Sequence, residues 1–333
     1  MCGVAGIFNI DGAPVSPVVL GRMTDMLAHR GPDDRGTHVD GALGLGHRRL
    51  SIIDLSAAGH QPMATPDGRY VLSYNGEVYN FAELRTELES AGFRFRSRTD
   101  SEVVLYAFAH WGLAAVERFN GMFALALWDA TERRLHLVRD RYGVKPLYYC
   151  RAGGALLFAS EAKAFLAHPD FSPNVGTAGL VEYLTFQNYF TDRTLLDGVR
   201  VVEPGTIVAL SEGRETPEVR RYWDYAFVEP DQHASEADLV DELDRLFTQA
   251  VGRQLVSDVP VGAYLSGGID SGSITAIAAQ QLPLMSTFTV GFDLNSASGI
   301  ELAYDERESA EHMSYLFRTQ QYEMVLKAGD MER

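Results

Sequence analysis

Cys2 is the residue of this 333-residue chain best equipped for covalent chemistry. If the methionine before it is removed, Cys2 becomes the N-terminus and carries a thiol and a free α-amine on one residue. An α-amine has an ordinary pKa of about 7.7–8.0, so near neutral pH it can take the proton of its own side chain. One residue then supplies nucleophile and base, and Gly3 beside it permits close backbone approach. A cysteine in second place carries little weight alone, but three further segments offer what such a nucleophile needs. Asn75-Gly76-Glu77 closes a β-type run, and an asparagine amide with a glycine N–H can hold an oxyanion. Alone, Asn-Gly is more often a hairpin turn. Arg49, in His47-Arg48-Arg49-Leu50-Ser51, presents a planar fork suited to clamping a carboxylate through two hydrogen bonds. As a lone arginine it would be solvated surface. Asp100, in Arg98-Thr99-Asp100-Ser101-Glu102, can meet an ammonium group or simply cap a helix.

A second chemical signal is Leu265-Ser266-Gly267-Gly268-Ile269-Asp270-Ser271, between a β-type run and a helical one. Its glycines let backbone N–H groups turn toward phosphate oxygens, its serines add donors, and a helix N-terminus favours anions. Asp270 is placed to act through Mg2+. The lysine of a Walker A loop is missing. A glycine-rich turn by itself would be a plain strand-to-helix connection. Nine histidines occur, His47 nearest a motif, with no pair at metal-ligand spacing. Cys150 reads as a small hydrophobe in a strand.

The elements that must position these residues are partly legible. Gly3–Ile10 and Arg69–Ser73 read as strands, the second ending in a turn at Tyr74-Asn75-Gly76. Met122–Trp128 with Leu135–Arg139, and Leu147–Cys150 with Ala155–Ala159, read as two hairpins. Asn80 is expected to cap a helix whose Phe81, Leu84 and Leu88 share a face, with Glu83 completing a capping box and Gly92 beyond its end. Ser101–Trp111 reads as another helix. Strands in hairpins beside helices predict an α+β layered domain over residues 1–210. Ser211–Ala234 is polar, contains Pro217 and Pro230, and reads as a linker, with a local Arg221–Phe227 segment. From residue 235 to 333, Ser235 caps a long helix, with Asp238 three residues on. Its Leu239, Leu243, Leu246, Phe247, Ala250 and Val251 recur at helical spacing. A β-like run over Val259–Leu265, a helix over Ser273–Gln281 and a β-like run over Met285–Phe292 follow. That order opens a doubly wound α/β domain.

Composition bounds the function. The net charge is −16 and the apolar fraction 46%, which describes an acidic globular protein that repels phosphate backbones and anionic lipid. Nucleic acid and membrane are therefore not expected partners. Two cysteines are no disulfide framework, and MCGVAGIFNI has no basic segment of a signal peptide, so a reduced cytoplasmic setting is expected.

Together the motifs resemble a known family. MCGVAGIF, Arg30-Gly31-Pro32-Asp33, HRRLSIIDLS, Gln61-Pro62-Met63, Tyr74-Asn75-Gly76-Glu77, Arg98-Thr99-Asp100-Ser101-Glu102 and RDRYGVKPLYY look like the glutaminase domain of class II glutamine amidotransferases, the asparagine synthetase branch fitting best. The resemblance implies an N-terminal-nucleophile αββα sandwich of two antiparallel sheets between helix layers. It implies that Cys2 attacks the side-chain amide of glutamine to give a thioester and ammonia. Asn75 and Gly76 would hold the oxyanion. Arg49, Glu77 and Asp100 would bind the α-carboxylate and α-ammonium, and Arg30–Asp33 would lie near the ammonia exit.

The SGGIDS string resembles the pyrophosphate loop of ATP-pyrophosphatase synthetases. By that resemblance Leu265, Ser266, Gly267, Gly268, Asp270 and Ser271 bind ATP with Mg2+. The main chain near Val290, in Thr287-Phe288-Thr289-Val290-Gly291-Phe292, contacts adenine, and Tyr304-Asp305-Glu306 continues the pattern. The family activates aspartate as an aspartyl-adenylate, which ammonia then attacks. Its synthetase domain continues well beyond Arg333, so this chain is expected to hold a truncated second domain with exposed core surface, to hydrolyse glutamine, and not to make asparagine alone. Removal of Met1 is predicted because the next side chain is small. Glutamine, ATP and aspartate or another carboxylate acceptor are the implied ligands, and a homodimer is a further candidate. Two other readings remain: amidation of a different carboxylate, and a non-catalytic or regulatory relic of the fold.

Overall fold

The computed structural model describes residues 1–229, 235–293, 305–327 and 330. Tyr304 and residues 230–234 of the expected linker lie outside them. The chain divides into two units, Met1–Phe227 and Val228–Arg333.

The first unit runs β1 (Gly3–Asn9), α1 (Pro17–Asp25), β2 (Asp34–Asp40), β3 (Leu43–Arg49), β4 (Met63–Ala64), β5 (Tyr70–Val78), α2 (Phe81–Ser90) and α3 (Asp100–Trp111). After a short α4 (Ala115–Arg118) come β6 (Gly121–Asp129), β7 (Arg134–Arg139), β8 (Tyr148–Ala152) and β9 (Ala155–Ala159). The unit continues with α5 (Thr177–Phe186), β10 (Arg200–Val201), β11 (Thr206–Ser211) and β12 (Glu218–Arg221). Its strands make two six-stranded sheets, β10-β8-β9-β1-β3-β2 and β12-β11-β7-β6-β5-β4. Every pairing in them is antiparallel.

Side-chain alternation along the strands builds the layers. Val4 and Phe8 of β1 meet Ala124, Ala126 and Trp128 of β6 between the sheets, where the Phe8 and Trp128 rings cross at 5.6 Å. Ala5 and Ile7 point the other way, onto Leu20 and Met23 of α1. Phe123, Leu125 and Leu127 of β6 face Leu84 and Leu88 of α2 and the Val103–Phe108 stretch of α3. The result is helix, sheet, sheet, helix: the N-terminal-nucleophile sandwich. Gly6 leaves room for the ring of Phe158, its cross-strand partner on β9, since a Cβ there would sit 2.0 Å from that ring.

Three local expectations change. β5 does not end at Tyr74-Asn75-Gly76 but pairs with β6 through Val78. Asn80 makes no side-chain cap on α2; its amide instead donates to Arg118 O and its carbonyl accepts from Asn120 N. The stretch expected as linker contributes β12, paired to β11, so the first unit extends past Leu210.

The second unit comprises α6 (Glu236–Gln254), β13 (Gly262–Tyr264), α7 (Ile269–Gln281), β14 (Ser286–Phe292), α8 (Arg307–Phe317) and β15 (Gln320–Leu326). Ser235 and Asp238 form the full capping box at the start of α6. The strands make a parallel sheet, β13-β14-β15, with helices between successive strands as in doubly wound folds. The core is small: Val251, Ala278 and Met285, backed by Phe247 and Leu255. Of the apolar stripe on α6, Leu239, Leu243 and Leu246 stay exposed, as do Tyr264, Phe288, Val290 and Met324 of the sheet.

Candidate active site

A cavity of about 210 Å³ in the first unit is lined by Cys2, Arg49, Asn75, Gly76, Glu77 and Asp100. The structure thus brings together all six residues that the sequence proposed for the nucleophile and its substrate, from four separate stretches of chain. Cys2 immediately precedes β1, Arg49 closes β3, Asn75–Glu77 lie in β5, and Asp100 opens α3.

The Cys2 thiol donates to Leu50 O at 3.6 Å and accepts from Leu50 N at 3.4 Å. Burial pushes its pKa up, while the Leu50 backbone and nearby positive charge pull the other way. The terminal α-amine, here on Met1, is depressed by burial, which favours the neutral, proton-accepting form. The Cys2 carbonyl accepts from Arg30 Nε at 2.9 Å, and Ser51 N donates to Asp33 at 2.8 Å. The Arg30–Asp33 segment therefore abuts Cys2 and the Leu50–Ser51 stretch beside it.

Asn75 is 1% exposed, and its Nδ2 has no hydrogen-bond partner. A buried orphan donor costs about 1–3 kcal/mol and is uncommon. Here it belongs to a side chain lining the cavity that Cys2 also lines. Gly76 follows it, and a Cβ there would lie 2.5 Å from Met122 O, so the close approach of β6 demands glycine. A paired strand, rather than a mobile turn, carries both donors.

Arg49 is nearly buried and spends Nη1 on Ser56 O at 2.9 Å and Nη2 on Asp54 O at 2.6 Å and Ile53 O at 3.3 Å. These bonds fix the plane of the fork; its other N–H groups make no bond among the described residues. Asp100 does not cap α3, because Thr99 does so by accepting from Glu102 N. The Asp100 carboxylate accepts from the Tyr74 hydroxyl at 2.7 Å and from Val78 N at 3.0 Å. Burial raises the pKa of Asp100 against those two bonds. Burial and then the charge of Asp100 raise that of Glu77. Two desolvated carboxylates that resist ionisation side by side are stabilised by an incoming cation.

Sequence reasoning missed Tyr74, Gln61 and Lys145 as lining residues, although all three stand in the motifs quoted above. Gln61 accepts from Tyr74 N at 2.7 Å and so braces β5. His47 lies outside the cavity lining, its Nδ1 3.1 Å from Ser73 Oγ. Cys150 is buried in β8.

In the second unit the Ser266–Ser271 loop is tied by its own hydroxyls. Ser271 Oγ lies 2.9 Å from Ser266 Oγ and accepts from Ser266 N at 3.1 Å, and Gly268 N donates to Ser266 Oγ at 3.1 Å. Gly268, the N-cap of α7, has no side chain to cap the helix. Val290 is exposed on β14, and Leu265 N donates to Phe288 O at 2.9 Å. Asp270 lies in the first turn of α7.

Fold and cavity define an amidotransferase-type N-terminal-nucleophile domain. The chain belongs to the glutamine amidotransferase domain family, whose pattern matches residues 1–223; the asparagine synthase family matches residues 242–333. The chain is 37% identical over 344 residues to asparagine synthetase (glutamine-hydrolyzing) 3 of Bacillus subtilis, covering 99% of this chain and 55% of that protein. It is 35% identical to asparagine synthetase (glutamine-hydrolyzing) 1 of the same organism, with 97% and 51% covered. To amidase chyE of Penicillium rubens it is 38% identical over 292 residues, with 82% and 42% covered. The chain spans about half the length of the curated relatives it matches. Among solved structures it is similar to the glutamine phosphoribosylpyrophosphate amidotransferase of B. subtilis complexed with ADP and GMP. The TM-score is 0.51 at 15% identity, over 96% of this chain and 65% of that one, a likeness of fold.

Proposed function

We propose that the first unit hydrolyses glutamine to glutamate and ammonia, and that the second binds ATP for use of that ammonia in amidating a carboxylate. The observation that carries the reading is the buried, unpartnered Asn75 amide in a cavity shared with the Cys2 thiol. After Met1 is removed, the α-amine of Cys2 takes the thiol proton and the sulfur attacks the side-chain amide carbon. Asn75 Nδ2 and the Gly76 N–H hold the resulting oxyanion. The amine returns its proton to the leaving nitrogen, ammonia departs, and water hydrolyses the thioester to glutamate. Arg49 binds the α-carboxylate, and Glu77 with Asp100 binds the α-ammonium.

In the second unit the uncapped start of α7 suits a polyphosphate, with Leu265, Ser266, Gly267, Gly268 and Ser271 around it and Val290 near the base. Asp270 fits Mg2+, which is commonly held by one or two carboxylates and substrate phosphates and would offset phosphate charge. Two of the relatives above are named asparagine synthetases, and aspartate, the carboxylate whose amidation gives asparagine, is the acceptor this reading favours. No helix among the described residues is long and apolar enough to cross a membrane, and a reduced cytoplasmic setting suits a free catalytic thiol.

Intact mass of the purified chain is expected to show loss of Met1, and glutamine is expected to yield glutamate. Cys2→Ala should abolish this, and a diazo-ketone analogue of glutamine should label Cys2. Glutaminase activity equal in parent and Cys2→Ala protein would sink the proposal.

A further inference from the structure

An N-terminal nucleophile has one covalent tether, so non-covalent anchors must set its direction. For Cys2 the strand ladder begins only at the next residue, Gly3, opposite Arg48. The Cys2 thiol is held by the Leu50 backbone, and the Cys2 carbonyl is anchored by Arg30, whose Nε donates to it at 2.9 Å. Arg30 does not stand alone: its Nη1 donates to Glu161 Oε1 at 2.8 Å. The same oxygen faces His29 Nε2 at 2.9 Å, and Lys163 Nζ lies 3.1 Å from the other oxygen. The Arg30 side chain is 8% exposed, so its reach across the two partners is sterically defined. Glu161 leaves β9 just after Ser160, which is clasped to Val4 by Val4 N to Ser160 Oγ at 3.0 Å and Ser160 N to Val4 O at 2.8 Å. The platform carrying Glu161 is thus fastened to the same strand that carries the nucleophile.

We infer that Glu161 is a positioning residue for Cys2: by holding Arg30 it fixes the Cys2 carbonyl, and with it the direction of the α-amine and the thiol. The held carbonyl fixes the peptide plane from which the Cα–C bond of Cys2 leaves, and the bonds of the thiol to Leu50 then set the rotation about that bond. Burial opposes ionisation of Glu161, but Arg30, His29 and Lys163 outweigh it and bring the pKa down to about 2, so the clamp is charged across the neutral range. This rests on the glutaminase reading for its kinetic test but not for its chemical one.

The experiment compares parent, Glu161→Gln, Glu161→Asp, Arg30→Gln and the Glu161→Gln/Arg30→Gln double variant as full chains lacking Met1. Glu161→Gln should lower kcat for glutamine hydrolysis about tenfold with KM nearly unchanged, the signature of misdirected reacting groups. Glu161→Asp, which keeps the charge, should regain part of the rate. The double variant should lose little beyond Arg30→Gln, because residues acting in one chain of contacts are not additive. Independently of any enzyme activity, iodoacetamide should alkylate Cys2 faster in Glu161→Gln than in the parent. Parent-like kcat and alkylation, fully additive losses, or a kcat loss that only tracks a lowered thermal midpoint would each overturn the inference. A parent without glutaminase activity would refute the functional reading, while the alkylation rates would still decide the anchor.

Discussion

The Tyr74 hydroxyl donates to the Asp100 carboxylate at 2.7 Å, joining a strand of the second sheet to the first residue of α3 at the acidic end of the cavity. Tyr74 and Asp100 are both buried, and the bond favours the ionised carboxylate against the effect of burial.

Tyr74→Phe is therefore expected to weaken recognition of the substrate ammonium. A hydrogen bond to a charged group contributes about 1.5–3 kcal/mol, so KM for glutamine should rise about tenfold or more with a smaller change in kcat. Losing the donor raises the Asp100 pKa further, so at a given pH more of the carboxyl is neutral. The acid limb of kcat/KM should move to higher pH in the variant. A pH profile superimposable on that of the parent would contradict this assignment.

Replacing Asn75 separates activity from stability. Asn75→Leu is near-isosteric and removes a donor that makes no bond in the ligand-free protein. Loss of one oxyanion donor lowers kcat by about 10²–10³, whereas urea unfolding should show equal or greater stability. A large stability loss with preserved kcat would place the amide in the architecture instead.

His47 makes the sandwich acid-sensitive. Burial first, then the charge of Arg49, lowers its pKa from 6.5 to about 3. The unfolded chain binds this proton as pH falls through 6.5, while the folded one refuses it until about 3. Its contribution is thus complete above the unfolded value and lost as pH falls toward the folded one. His47→Asn can still bond Ser73 but has no such proton, so unfolding midpoints measured against pH should decline less steeply in acid. Identical slopes for the two proteins would argue against the effect.

Gly6→Ala tests the packing of the Phe158 ring over β1. The new methyl would meet the Phe158 ring at 2.0 Å, and overpacking a core typically costs about 1–3 kcal/mol. Phe158→Leu in the Gly6→Ala background should recover part of the loss in thermal midpoint. A Gly6→Ala protein as stable as the parent would show that the Phe158 ring moves aside freely.

Much of this was readable from the chain because local signals and tertiary demands agree. The β6–β7 and β8–β9 hairpins, β1, α3 and the capping box of α6 all carry turn, cap or alternation signals that packing then uses. The site residues were legible for a different reason: their types are fixed by chemistry, whatever element carries them. Misreadings fall where a neighbour overrides local preference. Asn75-Gly76 has turn chemistry, but pairing along the length of β6 keeps it extended. Asn80 has the look of a cap, yet residues 118–120 claim its side chain. β12 is all exposed and exists because β11 offers it an edge, which no pattern in its own residues announces. Lys145 and Tyr74 were overlooked because nothing in a linear motif says which of its members turns inward.

The strand behind Cys2 is flanked on both sides, by β3 and by β9, and β9 ends at Ala159. During synthesis the thiol leaves the ribosome long before the segment that must lie against its strand. A nascent chain therefore holds this thiol before the strand that flanks β1 on one side, which begins only at Ala155, has been made.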